Sequence, residues 1–180
     1  MNLPNKLSLV RIALIPLMVA LMHLPGWWCL ASAAVFGAAA FTDFLDGHIA
    51  RKEGLVTNFG KFIDPVADKL LVLSAFIMLC AQGRMPAWMV VAVLARELAV
   101  DGLRLVVMEQ GKVIAAAKLG KIKTVSQIVC VLWLMLGDIV SLIIPFIHAL
   151  DLPICLWVVV ITLWSGWEYF RGSWKYLSDM

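Results

Sequence analysis

Four aspartates form the most distinctive chemical pattern in this sequence of 180 residues. Asp43 and Asp46 are three residues apart, and Asp64 and Asp68 are four apart. Side chains at these separations lie on one face of an α-helix. Two consecutive helices joined by a short loop would therefore direct four carboxylates at one place.

Carboxylates gathered in this way repel one another and are costly to remove from water. Hard divalent cations with oxygen ligands, Mg²⁺ or Mn²⁺, are the natural compensation. The alternative is that the acids are interfacial charges paired with nearby basic residues, namely Arg51, Lys52, Lys61 and Lys69. Four acids at this spacing, with small residues beside them, favour the metal site.

Small and basic residues accompany the aspartates. On a helical wheel, Gly47 and Ala50 share the face of the first pair, and Gly60 shares that of the second. Such residues leave space for a flat or phosphorylated ligand to approach the backbone. Arg51 and Lys61 add positive charge that suits a diphosphate.

A second group of residues could bind an anion. Arg96 and Arg104 are eight residues apart, which places them about 80° apart around a helix and on one side of it. Ionisable residues within an apolar segment are functional candidates. Lys121, from the predicted loop before the fifth apolar segment, could complete this site, and Lys118 or Lys123 could replace it.

The competing interpretation of Arg96 is a structural ion pair. Glu97 is adjacent to Arg96, and adjacent side chains do not face each other on a helix, which disfavours that pairing. Asp101 remains open as a partner. We predict a phosphate-binding role for Arg96, with the pairing to Asp101 as the alternative.

Apolar segments must position all of these groups. Hydrophobic residues make up 63% of the chain and charged residues 15%, with a mean hydropathy of +0.94, too apolar for a soluble domain. Runs of about 20 apolar residues recur, and each could cross a hydrocarbon layer of about 30 Å. The sequence therefore predicts one all-α domain, 1–180, a polytopic membrane bundle of six transmembrane helices. The predicted spans are 7–23, 27–46, 62–82, 87–108, 124–146 and 153–172.

Basic residues are distributed unevenly between the two sides of this bundle. The three turns on one side contain only Arg84. The termini and the two long loops contain Lys6, Arg11, Arg51, Lys52, Lys61, Lys112, Lys118, Lys121, Lys123, Arg171 and Lys175. Positive charge favours the cytoplasmic side, so both termini and the aspartates are predicted to face the cytoplasm. The small net charge of +3 gives no indication of a nucleic-acid partner.

The aspartate pattern resembles the signature of the CDP-alcohol phosphotransferase family. Every fixed position of that signature is filled, in the order Asp43-x2-Asp46-Gly47-x2-Ala50-Arg51-x8-Gly60-x3-Asp64-x3-Asp68. Further segments are similar to the bacterial branch that uses CDP-diacylglycerol and sn-glycerol 3-phosphate. They are Asn2-Leu3-Pro4-Asn5-x-Leu7-x3-Arg11, Asp64-Pro65-x-Ala67-Asp68-Lys69 and Ala95-Arg96-Glu97.

This resemblance implies a phosphatidyltransferase with two divalent metal ions, Mg²⁺ or Mn²⁺. Asp43, Asp46 and Asp64 would hold the metals. Asp68 would touch the second metal and act as general base on the acceptor hydroxyl. The implied contacts to the CDP-lipid come from Gly47, Ala50, Arg51 and Gly60.

The same resemblance implies the acceptor and the cellular setting. The acceptor would be sn-glycerol 3-phosphate, whose phosphate group Arg96, Arg104 and Lys121 would hold. The enzyme would be a homodimer among the lipids of the cell (inner) membrane, with its active site facing the cytoplasm.

Two other functions are compatible with the pattern. A cardiolipin synthase of the same family would share the aspartates and use phosphatidylglycerol as acceptor. A divalent-cation transporter could also use four acids, but transporters place their ion sites near the bilayer midplane, on broken helices within repeated halves. Here the acids cluster at one boundary and no repeat is visible, which disfavours a transporter.

Overall fold

The structure of the chain, a computed structural model, describes residues 3–53, 58–109 and 118–177. Within those ranges the side chains are described except at 3–5, 43–53, 58–62, 64, 65, 109, 118 and 175–177. The described residues form six α-helices and no β-strand, which confirms the predicted all-α class.

The six helices follow the predicted order. They are α1 (Leu3–Met22), α2 (Trp28–Glu53), α3 (Asn58–Ala81), α4 (Ala87–Glu109), α5 (Lys118–Val140) and α6 (Asp151–Leu177). A 3₁₀ turn, Ile147–Leu150, directly precedes α6. Gly26 and Gly83 adopt positive φ angles of 74° and 72° between helices, a backbone conformation that favours glycine.

Helix α5 lies six residues earlier in the chain than the predicted span 124–146. It begins at Lys118 and ends at Val140. After Val140 the backbone forms tighter turns, in which Leu142 N–H and Ile143 N–H donate to the carbonyls of Ile139 and Val140, three residues back. Pro145 has no N–H with which to resume the helix. Because α5 begins at Lys118, Lys121 lies in its first turn, and the predicted placement of Lys121 in a loop is wrong.

The two helices that carry the aspartate signature, α2 and α3, are also longer than predicted. α2 continues to Glu53 and α3 begins at Asn58, although the predicted spans ended at 46 and resumed at 62, with a loop between them. Gly47, Ala50 and Gly60 therefore have helical backbones.

Two stretches within the described residues are long and apolar enough to cross a membrane. They are Leu119–Val140 and Ile147–Trp174, and a shorter apolar helix covers Trp28–Thr42. The composition of α4 does not identify it as a span, because Arg96, Glu97, Asp101 and Arg104 interrupt it.

Two groups of helices pack together around one main hydrophobic core. α1 packs against α2 and α3, α4 and α5 pack against α6, and α5 also contacts α2 and α3. Met18, Phe36 and Phe76 are fully buried in this core. Arg11 is buried as well, and its Nε donates to the carbonyl of Ala39 at 3.3 Å, which joins α1 to α2.

A second, smaller apolar cluster lies where α4 meets α6. Its buried members are Val100, Leu103, Val107 and Tyr169. This contact aligns α4 with α6 and so determines which residues of α6 lie beside the charged side chains of α4.

Charged side chains from the turn before α4, the end of α5 and the start of α6 form what we call the Arg84 cluster, which consists of Arg84, Asp138, His148 and Asp151. Arg84 Nη1 donates to Asp138 Oδ1 at 2.6 Å, and Arg84 Nη2 to Asp151 Oδ2 at 3.4 Å. His148 Nδ1 lies 3.1 Å from Asp151 Oδ2. Gly137 makes room for the arginine, because a Cβ there would lie 2.5 Å from Arg84 Nη2.

Candidate active site

A cavity of about 240 Å³ lies between α3, α4, α5 and α6. Its lining is mostly charged. The lining residues are Asp68, Lys69, Arg96, Glu97, Val100, Asp101, Arg104, Gly120, Lys121, Lys123, Thr124 and Tyr169. Each of the four helices contributes at least one of them, so the packing of the bundle creates the cavity.

The cavity brings together the candidate residues that the sequence analysis found in separate segments. Asp68 reaches it from α3, Arg96 and Arg104 from α4, and Lys121 from α5. A candidate base and a candidate anion site therefore share one cavity, where a small acceptor could contact both.

Basic side chains outnumber acidic ones around this cavity, five to three. Two of the acids are paired with lysines: Lys69 Nζ donates to Asp101, and Lys123 Nζ donates to Glu97. The remaining positive charge attracts an anionic ligand such as a phosphate group. Asp101 bonds to Lys69 and not to Arg96, so the pairing left open by the sequence is wrong.

Arg96 is only 9% exposed and is held at both ends of its guanidinium group. Nη2 donates to Ser165 Oγ at 2.8 Å, and Nη1 donates to Glu97 Oε2 at 3.3 Å. The sequence argument disfavoured the pair with Glu97, but both side chains are long enough for their ends to meet. An arginine has five N–H donors, so one N–H on each terminal nitrogen remains for a ligand.

Glu97 connects the two buried cations of the cavity wall. It accepts hydrogen bonds from both Lys123 and Arg96, and its own exposure is 6%. Removing one member of such a buried charge group leaves the others uncompensated, at a cost of about 3–5 kcal/mol. Because Lys123 is bonded to Glu97, Lys121 is the better candidate for contact with a ligand.

Arg104 is positioned by a tyrosine of α6. Its Nε donates to the Tyr169 hydroxyl at 2.8 Å, and its guanidinium carbon lies 5.1 Å from the centre of the Tyr169 ring. Both contacts orient the guanidinium group. Its terminal nitrogens have no partner in the part of the chain that the structure describes, so they can meet a ligand in the cavity.

The residues predicted to bind the donor and the metals lie largely outside the described side chains. This applies to Asp43, Asp46, Asp64, Gly47, Ala50, Arg51 and Gly60. Their backbones belong to α2 and α3, which pack against each other. Both segments are helical, whereas the shared face of each aspartate pair and the convergence of all four carboxylates stay predictions.

Three α6 residues in or beside the cavity were missed by sequence reasoning. Tyr169 lines it, and Ser165 and Gly166 contact Arg96. The only signal was a pair of small residues in an otherwise tryptophan-rich helix. Their pairing with α4 could not be derived from periodicity in a single sequence.

Comparison with known proteins identifies relatives along nearly the whole chain. The family model described as CDP-alcohol phosphatidyltransferase matches residues 1–167. A CDP-diacylglycerol–glycerol-3-phosphate 3-phosphatidyltransferase of Bacillus subtilis (strain 168) is 47% identical, over 98% of this chain and 97% of that protein.

Proteins of the same name in two other bacteria are also similar. The one in Rickettsia bellii (strain RML369-C) is 39% identical, over 97% of both chains. The one in Salmonella choleraesuis (strain SC-B67) is 35% identical, over 96% of this chain and 94% of the relative.

Proposed function

The chain belongs to the CDP-alcohol phosphatidyltransferase family, and we propose that it transfers the phosphatidyl group of CDP-diacylglycerol to sn-glycerol 3-phosphate. The products are phosphatidylglycerophosphate and CMP. The single observation that carries this proposal is the cavity, which combines Asp68 with Arg96, Arg104 and Lys121.

In the reaction, the free primary hydroxyl of the acceptor forms a bond to the phosphorus of the phosphatidyl group. The bond from that phosphorus to the oxygen of the CMP phosphate breaks, and CMP leaves with the electron pair. Asp68 takes the hydroxyl proton as general base. Its position in the cavity, beside the residues that would hold the acceptor, supports this role.

The acceptor phosphate would be held by three cations. Arg104 offers its terminal N–H groups, Lys121 offers its ammonium group, and Arg96 offers one N–H on each terminal nitrogen. A hydrogen bond between charged groups is typically worth about 1.5–3 kcal/mol, so a phosphorylated acceptor is strongly preferred over a neutral alcohol. Holding the phosphate also orients the hydroxyl at the other end of the acceptor.

Two divalent ions, Mg²⁺ or Mn²⁺, fit the carboxylates of the signature, because hard ions prefer oxygen ligands. Asp43, Asp46, Asp64 and Asp68 would hold them. Bound ions would offset the charge of the diphosphate and of the departing CMP. Among the described side chains no group of three or more possible ligands occurs, since three of these aspartates lie outside them.

The donor would lie beside the metals, where α2 and α3 carry the small residues of the signature. Gly47, Ala50 and Gly60 would leave room for the nucleotide, and Arg51 would pair with its diphosphate.

The proposed setting is the cell (inner) membrane, crossed six times, with both termini and the cavity facing the cytoplasm. The two apolar stretches in α5 and α6 and the uneven distribution of basic residues support this arrangement. The proposal includes a homodimer, which the resemblance to the family implies.

A panel of acceptors tests the function directly. The purified protein in mixed micelles would be given CDP-diacylglycerol, Mg²⁺ and one alcohol at a time, and CMP release would be measured. We expect rapid release with sn-glycerol 3-phosphate and slow release with plain glycerol. Faster release with phosphatidylglycerol would identify a cardiolipin synthase and overturn the proposal.

A further inference from the structure

Helix α6 supports the side chain of Arg96 at a glycine. A Cβ built on Gly166 would lie 2.9 Å from Arg96 Cγ, 3.5 Å from Nε and 3.8 Å from Cδ. Contacts below 3.0 Å essentially do not occur for real Cβ atoms, so any larger residue at this position would displace Arg96. The stem of the arginine thus lies directly on the backbone of α6.

Backbone conformation does not explain this glycine. The only positive-φ residues in the described part of the chain are Gly26 and Gly83, so Gly166 has the ordinary φ sign of a helix. Glycine inside a helix costs about 1 kcal/mol relative to alanine. The space that Arg96 occupies is the physical reason for a glycine here.

The residue before the glycine holds the other end of the side chain. Ser165 is 1% exposed, and its Oγ accepts the hydrogen bond from Arg96 Nη2 at 2.8 Å. Glu97 accepts from Nη1 on the opposite side. The guanidinium plane is therefore held at both terminal nitrogens while Gly166 determines the path of the stem.

Neither α6 residue lines the cavity itself, whereas Arg96 does. The direct contact of the pair with the cavity lining is therefore the one to Arg96. We infer that Ser165 and Gly166 are positioning residues that hold Arg96 where it can donate to the acceptor phosphate. This inference rests on the proposed function, because it assumes that a phosphorylated acceptor occupies the cavity.

Substitutions at the two positions test this role, with a matched control on the same helix. Gly166→Ala should raise the KM for sn-glycerol 3-phosphate about tenfold or more, since small displacements of a ligand-holding group cost this much. Ser165→Ala should raise this KM less. Ser165→Thr, which keeps the hydroxyl group, should leave the KM near the wild-type value. Gly172→Ala should change nothing, because no atom lies within 4 Å of a Cβ at that glycine. The KM for CDP-diacylglycerol should be unaffected throughout.

A double-mutant cycle distinguishes positioning from a general structural effect. In an Arg96→Ala background, Gly166→Ala should cause no further change in acceptor KM, because its effect passes through the missing side chain. An undiminished effect in that background, or an effect of Gly172→Ala equal to that of Gly166→Ala, would overturn the inference. If Gly166→Ala does not fold, Ser165→Ala in the same cycle decides.

The wild-type reaction in the same assay separates the two proposals. Without CMP release from sn-glycerol 3-phosphate, the proposed function fails and the inference fails with it. If CMP release is normal and neither α6 substitution changes the KM for sn-glycerol 3-phosphate, the proposed function stands and only the positioning role is wrong.

Discussion

The Arg84 cluster and the cavity place similar side chains toward opposite ends of α4, but they differ in how completely those side chains are paired. In the Arg84 cluster one arginine bonds to two carboxylates, and a histidine lies against both of them. In the cavity five basic residues face three acidic ones. The arginine of the cluster is fully engaged by carboxylates of α5 and α6 and links those helices, whereas the surplus positive charge of the cavity is available to bind an anion.

A glycine supports an arginine in both regions. A Cβ on Gly137 would collide with the end of Arg84, and a Cβ on Gly166 would collide with the stem of Arg96. A glycine packed against an arginine therefore occurs both in a network of ion pairs and in the wall of a ligand cavity. The difference lies in what surrounds the guanidinium group.

Removal of divalent ions should have the largest effect on activity and should not disturb the Arg84 cluster. EDTA should stop CMP release completely, and excess Mg²⁺ or Mn²⁺ should restore it. Ca²⁺ should restore little, because it is larger and prefers looser coordination. Full activity in the presence of chelator would remove the metal site from the mechanism.

Asp68→Asn should follow, with turnover lowered by about 10²–10⁴-fold because the general base is lost. Binding of CDP-diacylglycerol should remain largely intact and can be measured separately by titration. The matched control is Asp138→Asn in the Arg84 cluster, which should leave turnover unchanged. A variant at position 68 that kept a tenth of wild-type activity would contradict the base assignment.

Arg104→Ala should reduce kcat/KM for sn-glycerol 3-phosphate by roughly 10- to 150-fold, the equivalent of one lost charge-assisted contact. The KM for CDP-diacylglycerol should change little. The slow reaction with plain glycerol, which lacks a phosphate, should be insensitive to the substitution. Equal losses for donor and acceptor would show instead that Arg104 serves only to pack against Tyr169.

Arg84→Ala should have the smallest effect, and on stability only. Asp151 would lose its cation while 15% exposed, whereas Asp138 is 70% exposed and can be hydrated. We therefore expect the free energy of unfolding in detergent to fall by about 1–2 kcal/mol, measured by denaturant titration. The acceptor KM should not move. An increase in that KM would show that the two ends of α4 are coupled.

The sequence was most informative where chemistry depends on local spacing. The separations within Asp43–Asp46 and Asp64–Asp68 predicted two pairs on helix faces, and both segments are helical. The eight-residue separation of Arg96 and Arg104 predicted one side of α4, and both residues line the cavity. Helical periodicity is a local property, so one sequence is sufficient to reveal it.

The errors arose where local patterns compete or where distant segments meet. Hydropathy extended the fifth span to residue 146, although the helix gives way to turns after Val140 and the proline at 145 cannot resume it. The partners of Arg96 and Arg104 were missed because Ser165 and Tyr169 are more than sixty residues away. Only the packing of α4 on α6 brings them together, and no spacing rule predicts that contact.

The charged residues of α4 have a consequence for how the protein is made. At the centre of an isolated helix in a bilayer, each acidic or basic residue costs about 2.5–3.5 kcal/mol during insertion. In α4 the compensating groups come from neighbours, above all Lys123 of α5 and Ser165 and Tyr169 of α6. These residues are synthesised after α4. If α4 crosses the membrane as proposed, Lys69 of α3 can compensate Asp101 at once, whereas Arg96 and Arg104 gain their α6 partners only when the last helix emerges from the ribosome. A nascent chain truncated before α6 should therefore leave α4 exposed to quality-control proteases.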